Sequence, residues 1–167
     1  MRRGELLGLR WEDLDLDVPQ LRVAAALTSA GGQLRLKRTK TRKVRTLHLD
    51  TDTAELLARQ PRRASAPYPL VFTRPDGSPW RPEEVSDRWR RQWPGLELPV
   101  IRLHDLRHTH ATLLLQAGVP IKVVSERLGH SKVALTLDVY AHVLPAMDQA
   151  AADAIGALVR TATPSTP

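Results

Sequence analysis

Apolar residues recur along this chain in two rhythms. Between residues 20 and 50 they tend to alternate with polar ones, as in half-buried strands. This predicts strands over 21–27, 33–37 and 45–49, with Ser29-Ala30-Gly31-Gly32 as a turn between the first two. The remainder reads with helical spacing. A short helix over 3–10 would turn Leu6, Leu7 and Trp11 inward. Asp50-Thr51 offers a cap for a helix through Arg59. Five prolines mark 60–80 as loop. Pro82 suits the first turn of a helix whose core stripe is Val85, Trp89 and Trp93, and 94–99 ends it. Helices over 104–117 and 120–128 are closed by Gly118 and Gly129. In the first of these, Leu106, Leu113 and Ala117 mark the expected buried arc, with Arg107 at its edge and His110 inside it. A short helix over 136–142 and a last one over 145–160 follow, then a disordered tail over 161–167. The expectation is a mainly α chain with a small antiparallel β-sheet, an α+β fold.

Composition narrows the class. At 167 residues the chain fits one domain of ~150 residues. With 42% apolar and 26% charged residues, it has the balance of a folded chain. No apolar run approaches the ~18 residues of a membrane span, and the N-terminus meets charge too soon for a signal peptide. The absence of cysteine excludes disulfides, thiol catalysis and cysteine-ligated zinc, and fits a cytoplasmic location. The net charge is +7, with 20 arginines among 25 basic residues, as in proteins that bind polyanions.

Distribution says more than the total. Arg35, Lys37, Arg38, Lys40, Arg42, Lys43 and Arg45 fall on one predicted hairpin with no acid among them. A solvated hairpin tip would look like this, and so would a contact with a phosphate backbone. In Leu103-His104-Asp105-Leu106-Arg107-His108, His104 and Arg107 share a helix face. A half-buried Arg107 needs an anion, either a structural carboxylate such as Glu5 or a substrate phosphate. His104, Asp105 and His108 also have the spacing of a zinc helix, with Asp where Glu is usual. Leu128-Gly129-His130-Ser131 is followed ten residues later by Tyr140, one of two tyrosines. Ala111, Gly118, Val124 and Leu128 suit a helix-turn-helix regulator that binds DNA without cutting it, or simple helix packing.

Taken in order, these segments resemble the tyrosine recombinases, the phage-integrase family. Arg2-Arg3-Gly4-Glu5-Leu6-Leu7-Gly8-Leu9-Arg10-Trp11 is similar to the family's first arginine box. Thr39-Lys40-Thr41 resembles its lysine turn, and His104-Asp105-Leu106-Arg107-His108 its His-x-x-Arg box. Leu128-Gly129-His130-Ser131 and Tyr140-Ala141-His142 resemble the two boxes that follow. The resemblance implies DNA cleavage and rejoining through a 3′-phosphotyrosyl intermediate. Tyr140 would be the nucleophile, Arg2 and Arg107 the phosphate clamp, and Lys40 the general acid. His104 and His130 would hydrogen-bond the phosphate or move protons. Arg35, Lys37, Arg38, Arg42, Lys43 and Arg45 would contact DNA. No metal or other cofactor is implied, because the phosphotyrosine bond stores the phosphodiester energy.

The same resemblance frames the domain. Family members carry helices before the first box and usually a separate core-binding domain. Residues 1–160 would be the catalytic domain without those parts, with Arg2 at an end that frays unless tied down. The implied partners are double-stranded DNA and, through the helix over 145–160, other copies of the chain. No membrane is implied, and the location would be the cytoplasm, at the nucleoid.

Overall fold

The computed structural model describes residues 1–38, 44–63, 68–93, 99–130 and 152–155. Helix α1 (Arg3–Leu7) and a 3-10 turn (Trp11–Asp13) lead into strands β1 (Leu14–Asp15), β2 (Gln20–Val23), β3 (Ala25–Ala30), β4 (Gln33–Arg38) and β5 (Arg45–His48). Helices α2 (Thr51–Ala58), α3 (Pro82–Gln92), α4 (Asp105–Gln116) and α5 (Ile121–Leu128) follow.

The single expected strand over 21–27 is two strands. The chain leaves one sheet at Ala24 and enters another, so β1-β2-β5 and β3-β4 form separate antiparallel sheets. Gly31 and Gly32, both at positive φ, close the β3–β4 hairpin, as a two-residue turn matched to strand twist requires. Along β4, Leu34 and Leu36 pack inward while Arg35 and Lys37 face solvent, and Arg38 at the strand's end is exposed too.

Helix α1 is shorter than expected, ending at Leu7, and Trp11 lies in the 3-10 turn beyond it. Its seat is set by two glycines one turn apart. A Cβ on Gly4 would stand 2.8 Å from the carbonyl oxygen of Leu27, and one on Gly8 would stand 2.7 Å from the Leu27 nitrogen. Only bare backbone lets the helix lie directly on β3. Leu7, Leu27 and Leu70 fill the space beside that contact. Leu9, Leu21, Val23, Leu47, Leu57 and Val71 form the core between the three-stranded sheet and α2. Asp50 caps α2 by accepting from the Thr53 N–H at 2.9 Å.

Helix α3 starts with Pro82 in its first turn, as expected. Trp89 meets Trp93 edge to face at 5.3 Å and donates from Nε1 to the Ile101 carbonyl at 2.8 Å. The buried face of α4 differs from expectation. Leu106 and Leu113 are exposed, His110 is exposed, and the inward residues are Arg107, Ala111 and Leu115. Ala111 and Leu115 pack on Val124 and Leu128 of α5. This packing accounts for the helix-turn-helix-like spacing of Ala111, Val124 and Leu128, with Gly118 at positive φ ending α4. The short helix over 136–142 and most of that over 145–160 lie outside the described residues, of which 152–155 are helical. No described helix is long and apolar enough to cross a membrane.

Candidate phosphate-binding site

The site is built around the C-terminal end of α5. A helix leaves its last carbonyls without partners inside the helix, and the negative end of its dipole sits there. Gly129, at φ +69°, turns the chain so that its own N–H returns to the Glu126 carbonyl (2.9 Å) and the His130 N–H to the Ser125 carbonyl (3.0 Å). The next three carbonyls each receive an arginine from a different part of the chain. Arg45 Nε donates to the Arg127 carbonyl at 3.2 Å, Arg107 Nη2 to that of Leu128 at 2.6 Å, and Arg2 Nη2 to that of Gly129 at 3.0 Å.

Glu5 completes the frame. It is buried at 3% exposure, and its carboxylate accepts from the Arg2 N–H (2.7 Å) and Arg2 Nη1 (3.0 Å). It also accepts from Arg45 Nη1 (3.2 Å) and Nη2 (2.7 Å). Burial works to raise the Glu5 pKa, but the Arg45 and Arg2 hydrogen bonds and charges outweigh it and hold the carboxyl near 2. The fraying expected at Arg2 is therefore countered by contacts to Glu5 and Gly129. The suggested Glu5–Arg107 pair is not formed: Glu5 is used by Arg2 and Arg45.

Arg107 is left as the group in need of an anion. It is 7% exposed, and its Nη1 has no hydrogen-bond partner. Burial first, then repulsion from Arg2 and Arg45, pulls its pKa down to about 10, with Glu5 opposing. It stays charged at neutral pH, so an unpaired buried guanidinium edge persists. His130 stands in the same field. Burial and the charges of Arg107, Arg2, His108 and Arg45 lower its pKa to about 4, so the ring is neutral at pH 7. His104, at the start of α4, lies with its ring 5.2 Å from that of His108, and burial and His108 lower its pKa. Arg2 and His104 line one open groove of about 660 Å³.

Four of the six residues assigned to catalysis thus gather at one place: Arg2 and His104 on a shared groove, and Arg107 and His130 within one charge cluster with Arg2. Lys40 and Tyr140 lie outside the described residues, as do Arg42 and Lys43 of the basic hairpin. Arg35, Lys37 and Arg38 are exposed. Arg45, expected on the same basic row, is instead turned inward, its side chain 14% exposed and bound to Glu5. The zinc arrangement gains no support: Asp105 is engaged by Arg102, and no group of three potential ligands occurs among the described residues. Sequence reasoning missed the joint role of Glu5 and Arg45. For Glu5 the signal was present in its place three residues after Arg2, the N-cap to N3 step of a capping box, but nothing local marked Arg45.

Residues 1–147 match the phage integrase family. The chain belongs to that family. The tyrosine recombinase XerC-like protein of Caldanaerobacter subterraneus subsp. tengcongensis is 30% identical over 169 residues, which cover 87% of this chain and 43% of that protein. The ICEBs1 integrase of Bacillus subtilis strain 168 is 29% identical, covering 95% of this chain and 46% of its own length. Among solved structures, the Tn1549 transposon integrase in complex with transposon right end DNA superposes with a TM-score of 0.75 at 25% identity, over 84% of this chain and 50% of that one. XerA recombinase shares the fold, with a TM-score of 0.65 at 22% identity, over 83% of this chain and 47% of that one. This integrase-family chain spans about half the length of the relatives it matches.

Proposed function

We propose that this chain is the catalytic domain, over residues 1–160, of a site-specific DNA recombinase or integrase that cuts and rejoins double-stranded DNA through a tyrosine. The observation that carries this reading is the buried, unpartnered edge of Arg107 set among Arg2, Arg45 and a neutral His130. Two guanidiniums paired to one carboxylate, with Arg107 unpaired beside them, leave an excess of positive charge, and a phosphodiester is the anion that the family membership supplies.

The chemistry follows from the residue types. A phenol with a pKa near 10 is a weak nucleophile at neutral pH. Guanidiniums beside the phosphate favour the phenolate and offset the charge that builds on the phosphorane. Tyr140 Oη attacks phosphorus, the bond from phosphorus to the 5′ oxygen breaks, and a 3′-phosphotyrosine forms. Lys40 gives its proton to the departing oxygen. His130, kept neutral, accepts a proton or donates a hydrogen bond to a phosphate oxygen, with His104 on the groove side. Attack of a new 5′ hydroxyl reverses the step on another strand, without ATP. Exposed Arg35, Lys37 and Arg38, with Arg42 and Lys43, serve the flanking phosphates. The helix over 145–160 docks on a neighbouring copy during assembly, and the protein acts in the cytoplasm at the nucleoid.

The test is covalent capture. Nicked suicide duplexes drawn from the DNA flanking the gene are incubated with the chain and with a version extended upstream. A protein–DNA adduct is expected, resistant to EDTA, and abolished by Tyr140→Phe while duplex binding stays within about twofold. An adduct that persists with phenylalanine at 140 would remove Tyr140 as the nucleophile, and loss of the adduct in EDTA would point to a metal.

A further inference from the structure

We infer that Arg45 is a positioning residue: it locks Glu5 onto the C-terminal end of α5 and thereby sets where Arg2 and Arg107 present their charge, rather than touching DNA itself. The inference rests on the function proposed above.

Three observations carry it. Arg45 uses both terminal nitrogens on Glu5 and its Nε on the Arg127 carbonyl, so each of its three nitrogens donates to protein. It spans from β5 to both α1 and α5, and so ties three elements through one side chain. The backbone has yielded room to it. A Cβ on Gly129 would stand 2.7 Å from Arg45 Nη1 and 2.8 Å from its Cζ, so the guanidinium lies against a surface that a side chain would occupy. The carbonyls of Arg127, Leu128 and Gly129 are consecutive, and so the grip of Arg45 on the first fixes the register at which Arg107 and Arg2 meet the next two.

A charge alone does not reproduce this arrangement. Lysine at position 45 keeps the positive charge but has no planar fork for the Glu5 carboxylate and no Nε for the Arg127 carbonyl. Without Arg45, Glu5 keeps its two bonds from Arg2 but loses its tie to β5 and to the end of α5, so the Arg2–Glu5 pair is no longer held in place. Displacement of a phosphate ligand by ~1 Å costs on the order of a hundredfold in rate.

The experiment compares wild type with Arg45→Lys and Arg45→Gln. In ¹⁵N spectra without DNA, the Arg2 guanidinium should show hindered rotation in wild type and lose it in Arg45→Lys. With a random-sequence duplex, the slope of log K against log salt should be unchanged in Arg45→Gln. A phosphate contact would instead flatten it by about 0.9. In single-turnover capture at saturating duplex, Arg45→Lys should fall by roughly a hundredfold, whereas a role of charge alone would be met by lysine. In case either variant unfolds, wild type is read directly: the Arg45 Nε shift should stay fixed as duplex is added. A shift of that signal on DNA, a flattened salt slope or an Arg2 guanidinium unaltered by lysine would each overturn the assignment. Absence of any adduct from wild type would refute the proposed function, while the guanidinium signals would still decide the role of Arg45.

Discussion

Two regions of this chain are rich in basic residues, and they are built in opposite ways. In the cluster at the end of α5, each guanidinium is fixed by named acceptors, and exposure falls to 14% for the Arg45 side chain and 7% for Arg107. On β4, Arg35, Lys37 and Arg38 face solvent on a hairpin whose inner face is Leu34 and Leu36. The first arrangement bears its reorganisation cost during folding, so that its charge would already be aimed at the phosphate of the proposed reaction. The second keeps its side chains adaptable, which suits sequence-independent contacts along a backbone. Under the proposed function, like charge would serve two ends: one region would set geometry and the other affinity.

The contrast can be broken most severely at Glu5. Glu5→Ala leaves Arg2, Arg45 and Arg107 facing each other without their carboxylate. Losing one partner of a buried ion pair costs about 3–5 kcal/mol, to be read from urea unfolding. A loss below about 1 kcal/mol would show that the cluster is not held together by Glu5. Next in size is Arg107→Lys. Its fold should survive, yet capture in a single turnover should drop by about 10²–10³, the cost of removing one preorganised donor from a transition-state oxyanion. A drop confined to duplex affinity would move Arg107 into the affinity class.

The hairpin should answer differently. Replacing Arg35, Lys37 and Arg38 with Ala should flatten the salt slope by about 2.7, which is roughly a fortyfold difference across ~50–200 mM salt. Cleavage at saturating duplex should remain. Should the slope stay put while cleavage falls, the two regions would have exchanged roles.

The smallest effect concerns protons. His130 titrates near 4 in the free protein, below an ordinary imidazole. The unfolded chain therefore binds the proton first as pH falls, and His130 withdraws stability between about 6.5 and 4. A phosphate beside Arg107 counters the positive field, so adding duplex should raise the His130 midpoint in an NMR titration. Duplex affinity should strengthen as pH falls through that window. An unmoved midpoint would place the phosphate away from His130.

Much of this was legible in the sequence, because its signals are local. Gly31-Gly32, Pro82, Gly118 and Gly129 mark turns and ends by backbone conformation, and the structure uses them so. The order of the motifs pointed to the family. The face of α4 was not legible, since apolar residues occur all round it and its inward row begins with a charged Arg107. Hydropathy assigns such a residue to the surface. A long-range anchor, the Leu128 carbonyl, makes its burial tolerable. Arg45 was hidden for a related reason. It lies at the end of a run of seven basic residues, and only its pairing with Glu5, forty residues away, separates it from the rest. The break at Ala24 carries no proline or glycine to announce it.

The three-carbonyl end of α5 also bears on how such a chain can drift in sequence. Main-chain oxygens are common to every amino acid, so replacing the side chain of Arg127 leaves the acceptor for Arg45 in place, and another apolar residue at the buried Leu128 would keep that for Arg107. Mutation can therefore wander over the outer surface of α5 while the charge pattern is inherited unchanged. The exception is Gly129, where positive φ strains any replacement and an added Cβ would push the Arg45 guanidinium from its place. On the outer surface of the anchor, mutation is thus constrained chiefly at one codon, the one that lets the backbone turn.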